Sequence, residues 1–196
     1  KKTKKLPTIK YYRYTEKMFI GAKRNICNYY ASGDILINID DDDYYPPERV
    51  SNSVNTLLKN SRVLCVGISK QYTHFKNYDK VGFFHPVSNN HACCGSLAFR
   101  KELLNITSYD NECKSVEDKK FLLDYKLPII HLDPLKTILV NSHQNNLSRK
   151  KDLFFWLDKH IHVTDMKVED IIKDKETYDY FMQDIENNLE TNINLT

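Results

Sequence analysis

Ile35, Leu36, Ile37 and Ile39 give positions 35–39 an apolar, β-branched character, and the run ends abruptly in Asp40, Asp41, Asp42 and Asp43, followed by Pro46 and Pro47. With Gly33 marking the turn into it, this pattern predicts a buried strand that carries an acidic cluster at its C-terminal end. Upstream, alternating aromatics predict a short strand over 8–14, and residues 22–31 predict a helix ended by Gly33. Downstream, Val50, Val54, Leu57 and Leu58 recur at helical spacing, so a helix over 48–59 is expected to pack on the sheet through them. Residues 62–69 read as a continuous apolar strand, and the aromatic, polar stretch 70–90 as a hairpin or long loop outside the core.

Small residues crowd 92–99, a helical turn follows at 101–104, and Ser115 reads as the N-cap of a helix with Asp118 three residues on. Pro128 is expected to end that helix, and strands over 129–132 and 137–140 lead to His143. From Ser148 onward the pattern turns polar and helical, with helices predicted around 153–157, 168–172 and 177–189.

Four adjacent carboxylates repel one another unless a cation neutralises them. Strand alternation points Asp40 and Asp42 to one side and Asp41 to the other, which offers two carboxylates to one partner. Carboxylate oxygens suit Mg²⁺ or Mn²⁺, and such an ion fills its remaining positions with water and substrate phosphates. A calcium loop of the EF-hand kind fails on spacing, because Tyr44 and Tyr45 stand where a further ligand and the obligatory glycine belong. In open α/β sheets ligands gather at the carboxyl ends of strands, which is where this cluster falls.

Ile20-Gly-Ala-Lys-Arg-Asn25, Ala31-Ser-Gly-Asp-Ile35 and Ile39-Asp-Asp-Asp-Asp-Tyr-Tyr-Pro-Pro-Glu-Arg49, taken in that order, resemble a family 2-like nucleotide-sugar glycosyltransferase of the GT-A fold over residues 9–147. The resemblance implies an α/β, GT-A-like (Rossmann-like) mixed sheet flanked by helices, and it leaves unexplained the C-terminal tail, α-helical by its own pattern. It divides the chain into a core at 1–147 that lacks the usual N-terminal base-binding strands, as in a fragment of a longer protein, and an extension at 148–196. It also implies a metal-dependent, inverting transfer of a sugar from a nucleotide-diphosphate sugar, a UDP-sugar by family frequency, to an acceptor hydroxyl. Asp42 matches the direct ligand of the Asp-x-Asp motif, Asp40 the residue that meets ribose or a metal-bound water, and His143 the histidine that completes the metal shell. Asp41 belongs to the same donor-binding motif. Lys23, Arg24 and Asn25 sit at a helix start, where N–H groups and the dipole favour phosphate. Gly95 matches the point of closest backbone approach to the donor sugar. Glu117 and Asp118 match the family's acidic pair, with Asp118 as the base. Arg149, Lys150 and Lys151 read as a solvated run or as a loop closing on the diphosphate. Two other readings stay open: a nucleotidyltransferase-type phosphate and metal enzyme, and a non-catalytic nucleotide-sugar-binding fragment.

Composition narrows the rest. The 196 residues suffice for one domain with a real core, and a net charge of +3 gives no field for a polyanion, so no nucleic acid partner is expected. No apolar run reaches the length of a membrane span, and the basic start at 1–5 lacks the apolar segment of a signal peptide, which leads to the expectation of a cytoplasmic or host-cell cytoplasmic location. Five cysteines without a C-x-x-C pair argue against a zinc site and against a complete disulfide framework.

Overall fold

The computed structural model describes residues 7–142 and 161–183. In chain order the strands are β1 (Ile35–Ile37), β2 (Cys65–Gly67), β3 (Gln71–Phe75), β4 (Lys80–Phe84), β5 (Ala98–Arg100), β6 (Ile129–His131), β7 (Leu139–Ser142) and β8 (Ile161–Val163). The α-helices among the described residues are α1 (Ile20–Tyr30), α2 (Arg49–Lys59), α3 (Glu117–Phe121), α4 (Val168–Ile171) and α5 (Lys175–Met182). Two mixed sheets result, one ordered β1-β5-β2-β6 and the other β7-β3-β4-β8. In the first, β5 runs antiparallel to both β1 and β2, and β2 runs parallel to β6. In the second, β3 pairs antiparallel with β4 and parallel with β7, and β8 pairs antiparallel with β4.

Strand alternation sorts the core into two faces. Leu36, Phe99 and Cys65 lie in register and share one cluster with Tyr109, Phe121 and Leu122. Their neighbours Ile35, Ile37, Ala98 and Val66 turn to the other cluster, where Leu57 of α2, Ile138 and Val140 meet them. Tyr109 stacks on Phe121 with centroids 4.2 Å apart, and Phe99 meets the same ring at 5.0 Å, so α3 is held to the sheet by aromatic contact.

Several expectations are corrected here. Residues 8–14 form no strand; they run extended and exposed, and Tyr12 stacks on Tyr30 of α1 at 4.0 Å instead of pairing in a ladder. In α2 the inward face is Arg49, Ser53 and Leu57, spaced four apart, while Val50 and Leu58 face solvent. The stretch 70–90 is a hairpin as expected, yet it belongs to the core, with Thr73, His74, Phe75 and Val81 buried. Ser115 does not cap α3: the N-cap is Val116, in the left-handed region at φ 58°, and Asp118 turns inward to other partners. The helix also stops at Phe121, well before Pro128, because Leu123, Asp124 and Tyr125 all take left-handed backbone.

Within the tail, α4 and α5 send Val168, Ile172 and Phe181 into a third cluster with Val81 and Leu139, and β8 adds an edge to the second sheet. The helix predicted around 153–157 and the end of the last one lie outside the described residues. No helix among the described residues is long and apolar enough to cross a membrane.

Candidate active site

The acidic turn is fixed from several sides. Past the end of β1, Asn38 still donates its backbone N–H to the Leu97 carbonyl at 3.0 Å, and its side chain donates to the Cys94 carbonyl at 2.9 Å and the Tyr109 hydroxyl at 3.1 Å. Asp40 donates its N–H to the Tyr45 hydroxyl at 2.8 Å, which in turn donates to the Gly95 carbonyl at 3.3 Å. From α2, the buried Arg49 guanidinium donates to the carbonyls of Leu97 at 3.0 Å and Asn38 at 3.3 Å. Burial pulls the pKa of Arg49 down to about 10. Tyr44 then closes the turn by pairing in both directions with Leu139, N–H to carbonyl at 3.0 and 2.9 Å.

The four aspartates have different surroundings. Asp40 is gripped by Arg24, whose two terminal nitrogens donate to Oδ1 at 3.0 Å and Oδ2 at 3.2 Å. The Nε of the same guanidinium donates to Glu117 Oε1 at 3.0 Å, so one arginine joins the acidic strand end to the start of α3. Burial works against the charge on Arg24, but the Cys94 sulfur, Asp40 and Glu117 outweigh it and hold the pKa above its ordinary value. Asp43 Oδ1 accepts from the Asn141 N–H at 2.9 Å, Asp41 is exposed and Asp42 is half-buried. Gly95 lies in the short 3₁₀ turn Cys94–Ser96, and a Cβ there would stand 2.7 Å from Asp40 Oδ2. Glycine at this position leaves room for the carboxylate that Arg24 holds.

Asp118 is buried beside this chain of contacts. Its Oδ2 accepts from the Tyr125 hydroxyl at 3.0 Å and lies 3.6 Å from His91 Nε2. Burial raises its pKa, a shift that the Tyr125 hydrogen bond and the His91 ring oppose. On α1, Lys23 is exposed. Asn25 is engaged with the loop before α3, donating to the Tyr109 carbonyl at 2.9 Å and to Asn111 Oδ1 at 2.7 Å, and accepting from the Tyr109 N–H at 3.0 Å. That loop comes so close that a Cβ on Gly21 would meet the Asp110 carbonyl oxygen at 1.8 Å.

The structure therefore brings Arg24, Asp40, Gly95 and Glu117 together, with Asp118 one residue further along α3. His143, Arg149, Lys150 and Lys151 lie outside the described residues. Sequence reasoning missed His91, Tyr125, Tyr45, Tyr109 and Arg49. The one signal available was position: His91 directly precedes the small-residue segment, and Arg49 follows the proline pair. The donor set at the turn is all carboxylate oxygen, which fits a hard divalent cation. Among the described residues no three His, Cys, Asp or Glu side chains form a cage, so an ion at Asp42 and Asp40 would complete its shell from substrate and water.

A mixed α/β sheet with a carboxylate-rich strand end, joined through an arginine to an acidic helix start, defines the class as a GT-A-type fold. The chain belongs to glycosyl transferase family 2, whose model matches residues 1–121, a span that holds the acidic turn, Arg24 and the Glu117–Asp118 helix start. Among solved structures, S. aureus TarS residues 1–349 in complex with UDP-GlcNAc is similar at a TM-score of 0.51 and 18% identity, covering 67% of this chain and 41% of that one. A second structure of TarS 1–349 gives a TM-score of 0.46 at 18% identity, covering 63% and 40%. The chain thus spans about two fifths of the length of these solved relatives. No curated protein matches it.

Proposed function

We propose that this chain carries the catalytic centre of a metal-dependent, inverting glycosyltransferase that moves a sugar from a nucleotide-diphosphate sugar, a UDP-sugar, to an acceptor hydroxyl. The observation that carries the reading is the Arg24 fork, which ties the Asp40 carboxylate and the Glu117 carboxylate into one constellation next to Asp118. Membership of glycosyl transferase family 2 supports it, as does the UDP-GlcNAc held by the similar TarS structure.

Asp42 and Asp40 would hold Mn²⁺ or Mg²⁺, with His143 as a further ligand by its place in the sequence. When bound, the ion supplies positive charge against the negative charge that develops on the departing diphosphate. The residues of the chain do the rest. Arg24 keeps Asp40 in place and offsets its charge. The exposed Lys23 gives the diphosphate a positive charge near the start of α1, beside Arg24 and the neutral Asn25. Asp118 takes the proton of the acceptor hydroxyl as that oxygen bonds to the anomeric carbon and the carbon–phosphate oxygen bond breaks. One displacement from the opposite face inverts the anomeric centre.

Calorimetry with UDP-GlcNAc and Mn²⁺ tests the reading. Binding that requires the metal and disappears in Asp42→Ala is the expected result; equal binding with and without metal, or in the variant, would overturn the ligand assignment.

A further inference from the structure

Asp118 has two neighbours, Tyr125 and His91, and behind the second a third group, Ser69, that no step above employs. The Tyr125 hydroxyl donates to Oδ2 at 3.0 Å, and His91 Nε2 faces the same oxygen at 3.6 Å, an ion-pair distance. Behind the imidazole, Ser69 Oγ sits 2.7 Å from Nδ1. Both aromatic rings are in contact, edge to face at 5.2 Å, so they act as one support. Tyr125 reaches this place only because Leu123, Asp124 and Tyr125 all adopt positive φ, at 53°, 54° and 61°. Three non-glycine residues in succession are held in a conformation that L-residues avoid, and such strain persists only where surroundings impose it.

The Asp118 carboxylate beside Nε2 favours one place for the imidazole proton. Ser69 Oγ accepts the Val87 N–H at 3.2 Å and can give its own proton to Nδ1. Nδ1 is then the acceptor and Nε2 carries the ring proton, aimed at Asp118. The opposite tautomer would set a nitrogen lone pair against a carboxylate oxygen, which is repulsive.

We propose that His91 and Tyr125 are positioning residues for Asp118: together they hold Oδ2, with Ser69 keeping the His91 proton on Nε2, and so fix the orientation of the carboxyl group that takes the acceptor proton. The inference rests on Asp118 being the base of the proposed transfer. Other titratable groups bear on the pair from every side: Glu117 from α3, Cys94 from the turn before β5, and His131 from β6. Burial lowers the pKa of His91, a shift that the Asp118 carboxylate opposes. Tyr125 by its hydrogen bond and His91 by its charge favour the carboxylate form, and losing either drives the carboxyl pKa further up.

Two measurements on the intact chain test this. Nitrogen NMR of the unaltered protein should find His91 as the Nε2–H tautomer; the Nδ1–H form would overturn the inference without any variant being made. Carboxyl-carbon NMR should then show the Asp118 titration midpoint rising by about one pH unit in His91→Leu and in Tyr125→Phe. His91→Gln, whose amide nitrogen replaces Nε2 as a donor, should return most of that shift. The acidic limb of the pH profile for kcat/KM should move with the midpoint while donor Kd stays constant. Midpoints that stay put in both variants would overturn the positioning role. If they move but turnover is unaffected by Asp118→Asn, the base assignment fails, and with it the catalytic meaning of the anchor.

Discussion

Asp118 holds its proton more tightly than an ordinary aspartate, because burial disfavours its charge more than Tyr125 and His91 restore it. A raised folded-state pKa gives stability that is complete below the ordinary carboxylate pKa, about 4, and is lost as pH climbs through the raised value. The unaltered protein therefore carries a stability cost at neutral pH that Asp118→Asn escapes. In paired thermal melts the variant should be the more stable at pH 7, with the gap closing as pH is lowered to about 4. Its turnover should fall by roughly 10²–10⁴-fold with donor binding intact; equal melts at all pH values would show that the carboxyl is not under strain. At this scale the sequence was informative about residues with a charge and a neighbour in order: Arg24, Asp40, Glu117 and Asp118 all stand out as a series. His91 and Tyr125 do not, because lone aromatic residues outside any periodic run reveal nothing until a left-handed turn swings one of them across the chain.

Among the elements, α2 shows how a polar residue can do a packing residue's work. Its inward line is Arg49, Ser53 and Leu57, with Arg49 Nη1 donating to Ser53 Oγ at 2.6 Å while Nη2 reaches the turn beyond β1. Arg49→Leu removes the donors to two carbonyls at the base of the acidic turn and should cost about 2 kcal/mol in urea unfolding. An unchanged denaturation midpoint would mean that water replaces the guanidinium there. Apolar spacing alone placed this helix correctly and oriented it wrongly: Leu57 was legible, but Val50 and Leu58 form the outer face. Burying an arginine runs against the usual partition of charge, so hydrophobic pattern alone could not show it. The strands β1, β2 and β6 were legible because a short apolar run is bounded by turn residues or proline, while the 70–90 hairpin was legible as a hairpin but not as part of the core. The false strand at 8–14 had alternation without a ladder to join.

On the scale of the whole molecule, the third cluster links the C-terminal helices to the acidic turn through Leu139 and Tyr44. Phe181 of α5 packs with Leu139, the residue paired to Tyr44, and meets the Tyr44 ring edge-on at 6.4 Å. Phe181→Ala should lower stability by about 3 kcal/mol through the cavity it leaves. Metal-dependent donor binding should weaken in the same variant, and calorimetry that finds it untouched would separate the helices from the site. Sequence could assign these helices by spacing but could not say what they cover, since contact between segments so far apart leaves no local trace.

The two-way pairing of Tyr44 with Leu139 makes the acidic turn a seam, sewn on one side to the strand that delivers it and on the other to a strand of the neighbouring sheet. A slight shear of one sheet past the other would drag the acidic turn with it without breaking a single hydrogen bond inside either sheet. The place of the turn and the mutual tilt of the sheets are thus tied together through one backbone pair.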